Sequence, residues 1–268
     1  MQAMALLTNI ITGDLPDPTS YKKATDPSHP EKPQWEAAVL KETNTLEERK
    51  TWRYVKRKDI PKTMRPIRCK FVFKKKFVKD GTIQYKARLV ACGITQRPGL
   101  DYSSDELYAS VCSYSSMRFL MSLATQKGYQ LYQTDIQGAY LESDIDDEIY
   151  MDVPPNLPRF DADGDPIVCK IERGLYGLKQ SGYAWSQCFK EFMMHDPKYQ
   201  MGFTTMSGEP NLYRKTYTLN GKPAEIFVGQ YVDDCLLAAS SKEVLQDFIT
   251  SLSARFPVMN RVQGISPL

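Results

Sequence analysis

The sequence predicts an α+β fold built on an antiparallel sheet. The hydrophobic pattern along the chain runs helix, hairpin, helix, strand, helix, hairpin, helix, which is not the strict alternation of a parallel α/β fold. Two hairpins are signalled, one by Asp80-Gly81 and one by two apolar arms around Tyr231-Val232-Asp233-Asp234. The size, 268 residues with 42% hydrophobic and 25% charged, suits one large globular domain or two small ones.

Residues 1–33, rich in Pro, Thr, Asp and Lys, read as a flexible lead-in tail. Pro33 opens a helix with Trp35, Ala38, Val39 and Leu46 near one face. Phe71, Phe73, Phe77 and Val78 make the first arm of a hairpin, and Ile83 and Tyr85 begin the second. On that second arm Lys86, Arg88 and Val90 share one face and Ala87 and Leu89 the other, so the hairpin has a cationic face. Ser113 to Thr125 reads as a helix with Met117, Leu120, Met121 and Ala124 inward and Gly128 past its end. Tyr129 to Ile136 reads as a buried strand carrying Asp135 at its end. Ala184 to Met194 reads as a helix with Trp185, Cys188, Phe189 and Phe192 inward. Ile226 to Ala239 supplies the second hairpin, with acids at its tip. Ser240 to Glu243 offers a capping box for a last amphipathic helix holding Leu245, Phe248, Ile249, Leu252 and Phe256.

Several classes are excluded. No apolar run approaches the roughly 20 residues that a membrane helix needs. The apolar stretch near the N-terminus has no Lys or Arg before it, so it does not read as a signal peptide, and no membrane partner is expected. The six cysteines are scattered, none in a C-x-x-C pair, and His29 and His195 are the two histidines. That argues against zinc and for free thiols in a reducing compartment.

The net charge of +3 hides a strong polarity. Arg49 to Lys79 holds 14 Lys or Arg and one acid, Asp59, while Glu142 to Asp165 holds nine acids and one base, Arg159. Such a basic block suits a polyanionic partner or a solvated face, and charge alone leaves both open.

The carboxylates carry the chemistry. Asp135 ends an apolar strand, and Asp233 and Asp234 interrupt an apolar hairpin between Phe227-Val228 and Leu236-Leu237. Carboxylates in such settings need a compensating charge, and neither segment offers a Lys or Arg. Acids at adjacent strand ends without histidine make a hard oxygen site suited to Mg²⁺ or Mn²⁺, and two such ions can serve phosphoryl transfer. On spacing alone, Asp-Asp more often marks a polar hairpin tip than a metal site. A rival site, Asp161, Asp163 and Asp165 with Glu172, imitates a calcium loop, but Pro166 stands where the loop needs Gly. An exposed acidic loop is the reading there.

At these residues the sequence resembles the reverse transcriptase of copia-type LTR retrotransposons. The resemblance runs from Trp35 to near Gly264. It rests on WEAAVLKETNTLEERKTW, DGTIQYKARLVACGITQRPGLDY, QTDIQGAYLESDIDDEIYMDVPP, CKIERGLYGLKQSGYAW and YVDD, in that order. YKARLVA, GLYGLKQS and YVDD at these separations are highly specific. The sequence departs from the family at Gly182, where its members usually have Pro.

The resemblance implies a right-hand polymerase with fingers and a ferredoxin-like palm over residues 34–268, with the thumb and RNase H that follow in the family missing. It implies RNA-directed DNA polymerase activity, with Asp135 and Asp233 as principal ligands of two Mg²⁺ ions and Asp234 as the third acid. Tyr140 matches the steric gate against a ribose 2′-hydroxyl. Gly138 and Ala139 would offer backbone N–H groups to the triphosphate. Lys86 and Arg88 both match the basic fingers residues that hold phosphates, and the resemblance does not choose between them. Tyr176, Gly177 and Lys179 fall in the segment that lines nucleotide and template. The implied partners are an RNA or DNA template with primer, dNTP and other parts of a Pol polyprotein, in an intracellular setting such as a cytoplasmic particle or the nucleus. Two alternatives stand beside this: an inactive element-derived remnant that only binds nucleic acid, and an RNA-dependent RNA polymerase, against which a bulky Tyr140 argues.

Overall fold

The computed structural model describes residues 15–77 and 82–260. The expected Asp80-Gly81 turn lies outside the described residues. The chain is mixed α and β, and all named strand pairings are antiparallel. It divides into two units, Met1–Arg97 with Asp147–Leu178, and Pro98–Asp146 with Lys179–Leu268.

In the first unit a short helix α1 (Tyr21–Ala24) precedes α2 (Lys32–Glu48). Pro33 sits in the first turn of α2, where its missing N–H costs no hydrogen bond. Trp35, Val39, Thr43 and Leu46 form the buried stripe, and Thr43 satisfies its hydroxyl on the Val39 carbonyl at 3.0 Å. Strand β1 (Trp52–Lys56) follows, and then the hairpin β2 (Cys69–Phe77) with β3 (Ile83–Ala91). Trp35 packs edge-on against Phe73 and Tyr85, with ring centroids 5.3 and 4.8 Å apart. The inner face of β3 buries Ala87, Leu89 and Ala91, as its alternation predicts. The outer face of the hairpin carries Lys70, Lys74, Lys76, Lys86 and Arg88, all exposed, with Lys74 directly opposite Lys86.

The second unit is built on a six-stranded sheet. Helix α3 (Tyr114–Lys127) leads into β4 (Gln130–Ile136). The first unit resumes with β5 (Tyr150–Met151) and β6 (Ile167–Ile171), which complete a three-stranded sheet in the order β1-β6-β5. Helix α4 (Ser181–Met194), β7 (Thr204–Met206), β8 (Glu209–Leu219), β9 (Lys222–Tyr231), β10 (Asp234–Ala239), α5 (Lys242–Arg255) and β11 (Val258–Asn260) complete the second unit. The large sheet runs β11-β4-β10-β9-β8-β7.

Strand alternation splits the core of this unit. Leu131, Leu212, Phe227 and Ala238 pack with Leu120 and Ala124 of α3 on one face. Ile136, Ile226, Val228, Cys235 and Leu237 pack with Trp185, Phe189 and Phe192 of α4 and Phe248 and Leu252 of α5 on the other.

Local details correct the sequence reading at four places. Helix α4 begins at Ser181, three residues earlier than its apolar spacing suggests, and so includes Gly182. Met121 faces outward on α3. Ser241 rather than Ser240 caps α5, accepting from the Val244 N–H. As a result Val244 is buried and Leu245 only half-buried. Ser113 and Gly128 bound α3 as expected, Ser113 accepting from Ser116 N–H and Gly128 taking the left-handed conformation at φ +66°.

The charge blocks meet within the first unit. Lys56 is paired with Asp161, Asp163 and Asp165 at 3.2, 3.1 and 2.8 Å, and Lys58 with Asp165 at 2.7 Å. The imitation calcium loop therefore already holds its cation in covalent form, a lysine ammonium. Arg53 pairs with Glu172, Arg57 with Asp152, Lys74 with Asp17 and Lys75 with Glu31. At least six of the 14 cations in the basic block thus face acids of their own unit. No described helix is long and apolar enough to cross a membrane.

Candidate active site

Register sets two of the carboxylates opposite each other. Strands β4 and β10 are antiparallel neighbours, and their pairing sets Asp135 directly opposite Asp234. Side chains of directly opposed residues project from the same face of a sheet. Asp233 is placed by the turn between β9 and β10. Tyr231 pairs with Asp234, so Val232 and Asp233 alone make the loop. The Ile136 N–H then donates to the Asp233 carbonyl at 2.8 Å, which fixes the turn beside the end of β4.

Two-residue hairpin loops favour positive φ at the first central position, which glycine commonly supplies. Here Val232 takes it, at φ +55°. The Val232 carbonyl accepts from Trp185 Nε1 at 2.8 Å and from Gln230 Nε2 at 3.3 Å.

Asp135 is buried, at 5% exposed. The three acids share an electrostatic neighbourhood. Burial pushes the Cys235 thiol well above its usual range, and the charges of Asp234, Asp233 and Asp135 push it further the same way. Gln133 Nε2 reaches Asp234 Oδ1 at 3.4 Å. Among the described residues no group of three or more His, Cys, Asp or Glu side chains is gathered to hold a metal ion. What the turn and β4 do offer is carboxylate oxygen, the donor type that suits Mg²⁺ or Mn²⁺.

Gly138, Ala139 and Tyr140 follow β4 in the same unit. Gly138 takes φ +63° and begins a tight 3₁₀ turn over Ala139–Glu142. Ala139 is buried. Tyr140 is half-buried, and its carbonyl accepts from Ser143 Oγ at 2.8 Å. Lys179 also belongs to this unit, with its ammonium 3.0 Å from the Tyr102 hydroxyl and 4.7 Å above that ring.

The other expected nucleotide-side residues lie in the first unit. Arg88 stacks over the Tyr176 ring at 4.1 Å. Tyr176 is held by its backbone: the Ala91 N–H donates to its carbonyl at 2.8 Å. Gly177 is needed for that approach. It takes φ +91°, and a Cβ there would lie 2.1 Å from the Ala91 carbonyl oxygen. Gly93 is equally constrained, since its Cβ would lie 2.0 Å from the Gly177 carbonyl oxygen. Both glycines allow close backbone packing, and Gly93 is one that the sequence reading passed over.

With this geometry in place, comparison with known proteins is informative. The family model described as reverse transcriptase (RNA-dependent DNA polymerase) matches residues 49–266. The chain belongs to the reverse transcriptase family. It is 36% identical over 251 residues to the retrovirus-related Pol polyprotein from transposon TNT 1-94 of Nicotiana tabacum, covering 92% of this chain and 17% of that protein. It is 32% identical over 226 residues to the corresponding polyprotein from transposon RE2 of Arabidopsis thaliana, covering 84% and 14%. It is 34% identical over 230 residues to the transposon Ty1-LR2 Gag-Pol polyprotein of Saccharomyces cerevisiae, covering 84% and 12%. These relatives are copia-type retrotransposon polyproteins, and the chain spans less than a fifth of their length.

Proposed function

We propose that this chain is the catalytic part of an RNA-directed DNA polymerase, extending a primer 3′-hydroxyl with dNTP on an RNA or DNA template. In this reading the second unit is the ferredoxin-like palm and the first unit the fingers. The observation that carries it is the register setting Asp135 opposite Asp234 with the Asp233 carbonyl bonded to Ile136.

Asp135 and Asp233 are the residues that would hold two divalent ions, and Asp234 adds negative charge beside them. Those ions, when bound, supply Lewis-acid stabilisation of the attacking hydroxyl and of the leaving pyrophosphate. The chain itself does the positioning. Gly138 and Ala139 present backbone N–H groups to the triphosphate, and Tyr140 excludes a ribose 2′-hydroxyl. Lys86 and Arg88 bind phosphate oxygens, Arg88 held in orientation by the Tyr176 ring. Tyr176, Gly177 and Lys179 serve nucleotide and template. Such a division, with residues positioning and fixed charges stabilising, accounts for most of the rate in phosphoryl-type transfers.

Primer extension on an RNA template with Mg²⁺ tests this reading. Incorporation of dNTP in preference to rNTP, lost in Asp233→Asn, supports it. Absence of incorporation at high protein concentration, with nucleic-acid binding retained, would favour the binding-only remnant.

A further inference from the structure

Four non-glycine residues among those described take positive φ: Lys50, Gln200, Asn220 and Val232. Val232 alone is β-branched, and for such a side chain positive φ is a true outlier. A conformation of this kind persists only where the surroundings over-determine it. At Val232 the surroundings can be named. Its carbonyl receives two side-chain N–H groups, from Trp185 at 2.8 Å and Gln230 at 3.3 Å. The next carbonyl, of Asp233, receives the Ile136 N–H. The peptide plane on each side of the Asp233 Cα is therefore pinned, one from α4 and one from β4.

The indole is rigidly held. Trp185 is 1% exposed, edge-on to Phe256 at 5.3 Å and tilted against Phe189 at 5.6 Å. A phenylalanine ring would fill most of the same space without the N–H. The indole therefore contributes a donor as well as packing.

We propose that Trp185 is a positioning residue for the polymerase centre: its indole N–H holds the Val232 carbonyl, keeps the turn in its strained form and so fixes the direction of the Asp233 carboxylate. The proposal rests on the reading of Asp233 given under Proposed function. Gln230 is the weaker second donor to the same oxygen.

The test uses the full 268-residue chain and two readouts. The first is amide and indole exchange by ¹H–¹⁵N NMR, which needs no activity. The Trp185 indole N–H should be protected in the wild type. In Trp185→Phe the Ile136 amide should exchange about tenfold faster, the worth of one buried hydrogen bond, while the Leu237 amide in the core of β10 is unchanged. Adding Val232→Gly, which makes positive φ cheap, should restore Ile136 protection. The second readout is primer extension, where Trp185→Phe should lower kcat with little change in KM for dNTP, and Val232→Gly should recover it. Packing loss alone predicts neither the selectivity nor the rescue.

A freely exchanging wild-type indole overturns the proposal even if Trp185→Phe does not fold. Equal acceleration at Ile136 and Leu237, or no rescue, overturns it as well. If the wild type incorporates no dNTP while the exchange results hold, the polymerase reading fails and the clamp on the turn stands.

Discussion

Glu225 is a buried charge in the sheet that carries the Tyr231–Asp234 turn. It lies on β9, the strand that runs directly into Tyr231, and is 9% exposed. Its carboxylate accepts from Lys127 Nζ at 2.8 Å, from Arg214 Nε and Nη2 at 2.9 and 2.6 Å, and from the Tyr129 hydroxyl. These partners come from the end of α3, the short link that follows it and β8, so one side chain ties three segments together. Burial alone would raise this carboxyl; the hydrogen bonds from Lys127, Tyr129 and Arg214 and the Lys127 charge overcome it and bring it from 4.5 down to about 2. That difference corresponds to about 3 kcal/mol. Lys127 and Arg214 are 43% and 45% exposed, and solvent screening at that exposure reduces the usable amount to about 1–2 kcal/mol.

The sign follows from linkage. The folded value lies below the unfolded one, so the stabilisation is full above about pH 4.5 and is lost as pH falls towards 2. Glu225→Gln should therefore destabilise by about 1–2 kcal/mol at pH 7 and by much less near pH 2.5, measured by urea unfolding at both. An equal penalty at the two pH values would refute the reasoning, because it would mean that charge plays no part.

Other consequences can be checked separately. Gly177→Ala forces a Cβ against the Ala91 carbonyl at φ +91°, so it should cost about 2 kcal/mol or more in chemical denaturation and loosen Tyr176 beneath Arg88. Lys56→Met removes the ammonium that Asp161, Asp163 and Asp165 share; exchange at the Gly164 and Asp165 amides should rise, while millimolar calcium leaves the wild-type unfolding midpoint unchanged. If the outer face of the β2–β3 hairpin engages single-stranded RNA, Lys70→Ala with Lys76→Ala should flatten the salt dependence of binding by about 0.7 in log–log slope for each phosphate no longer neutralised, read by fluorescence anisotropy across a salt titration.

Local signals proved legible where the determinants are local. Ser113 and Gly128 mark the ends of α3 because a cap is a short-range hydrogen-bond problem. The buried stripe of α2 and the faces of β3 follow from period alone. Strands β1, β5 and β6 were not legible, because Trp52 pairs with Ile171 and Tyr150 with Lys170 across separations that no local pattern encodes. β8 was missed although its signal is local: Asn220-Gly221 turns it directly into β9, with both residues at positive φ. The one-residue shift of the α5 cap to Ser241 arose because Ser240 is occupied elsewhere, accepting from the Glu225 N–H.

At the site, apolar flanks were enough to single out Asp135, Asp233 and Asp234. The positive φ of Val232 and the donor from Trp185, 47 residues away, left no mark in the sequence. Trp185 read simply as core. In the basic block, charge counting could not show which cations answer acids within the same unit, as at least six do.

The most direct test of the central claim is single-turnover primer extension on an RNA template, comparing wild type with Asp233→Asn at saturating Mg²⁺ and dNTP. The account predicts templated incorporation by the wild type and its loss, by a factor of a hundred or more, on the order expected when a group central to transition-state stabilisation is removed, in a variant that still folds and binds the template. Equal incorporation by the two proteins would contradict it.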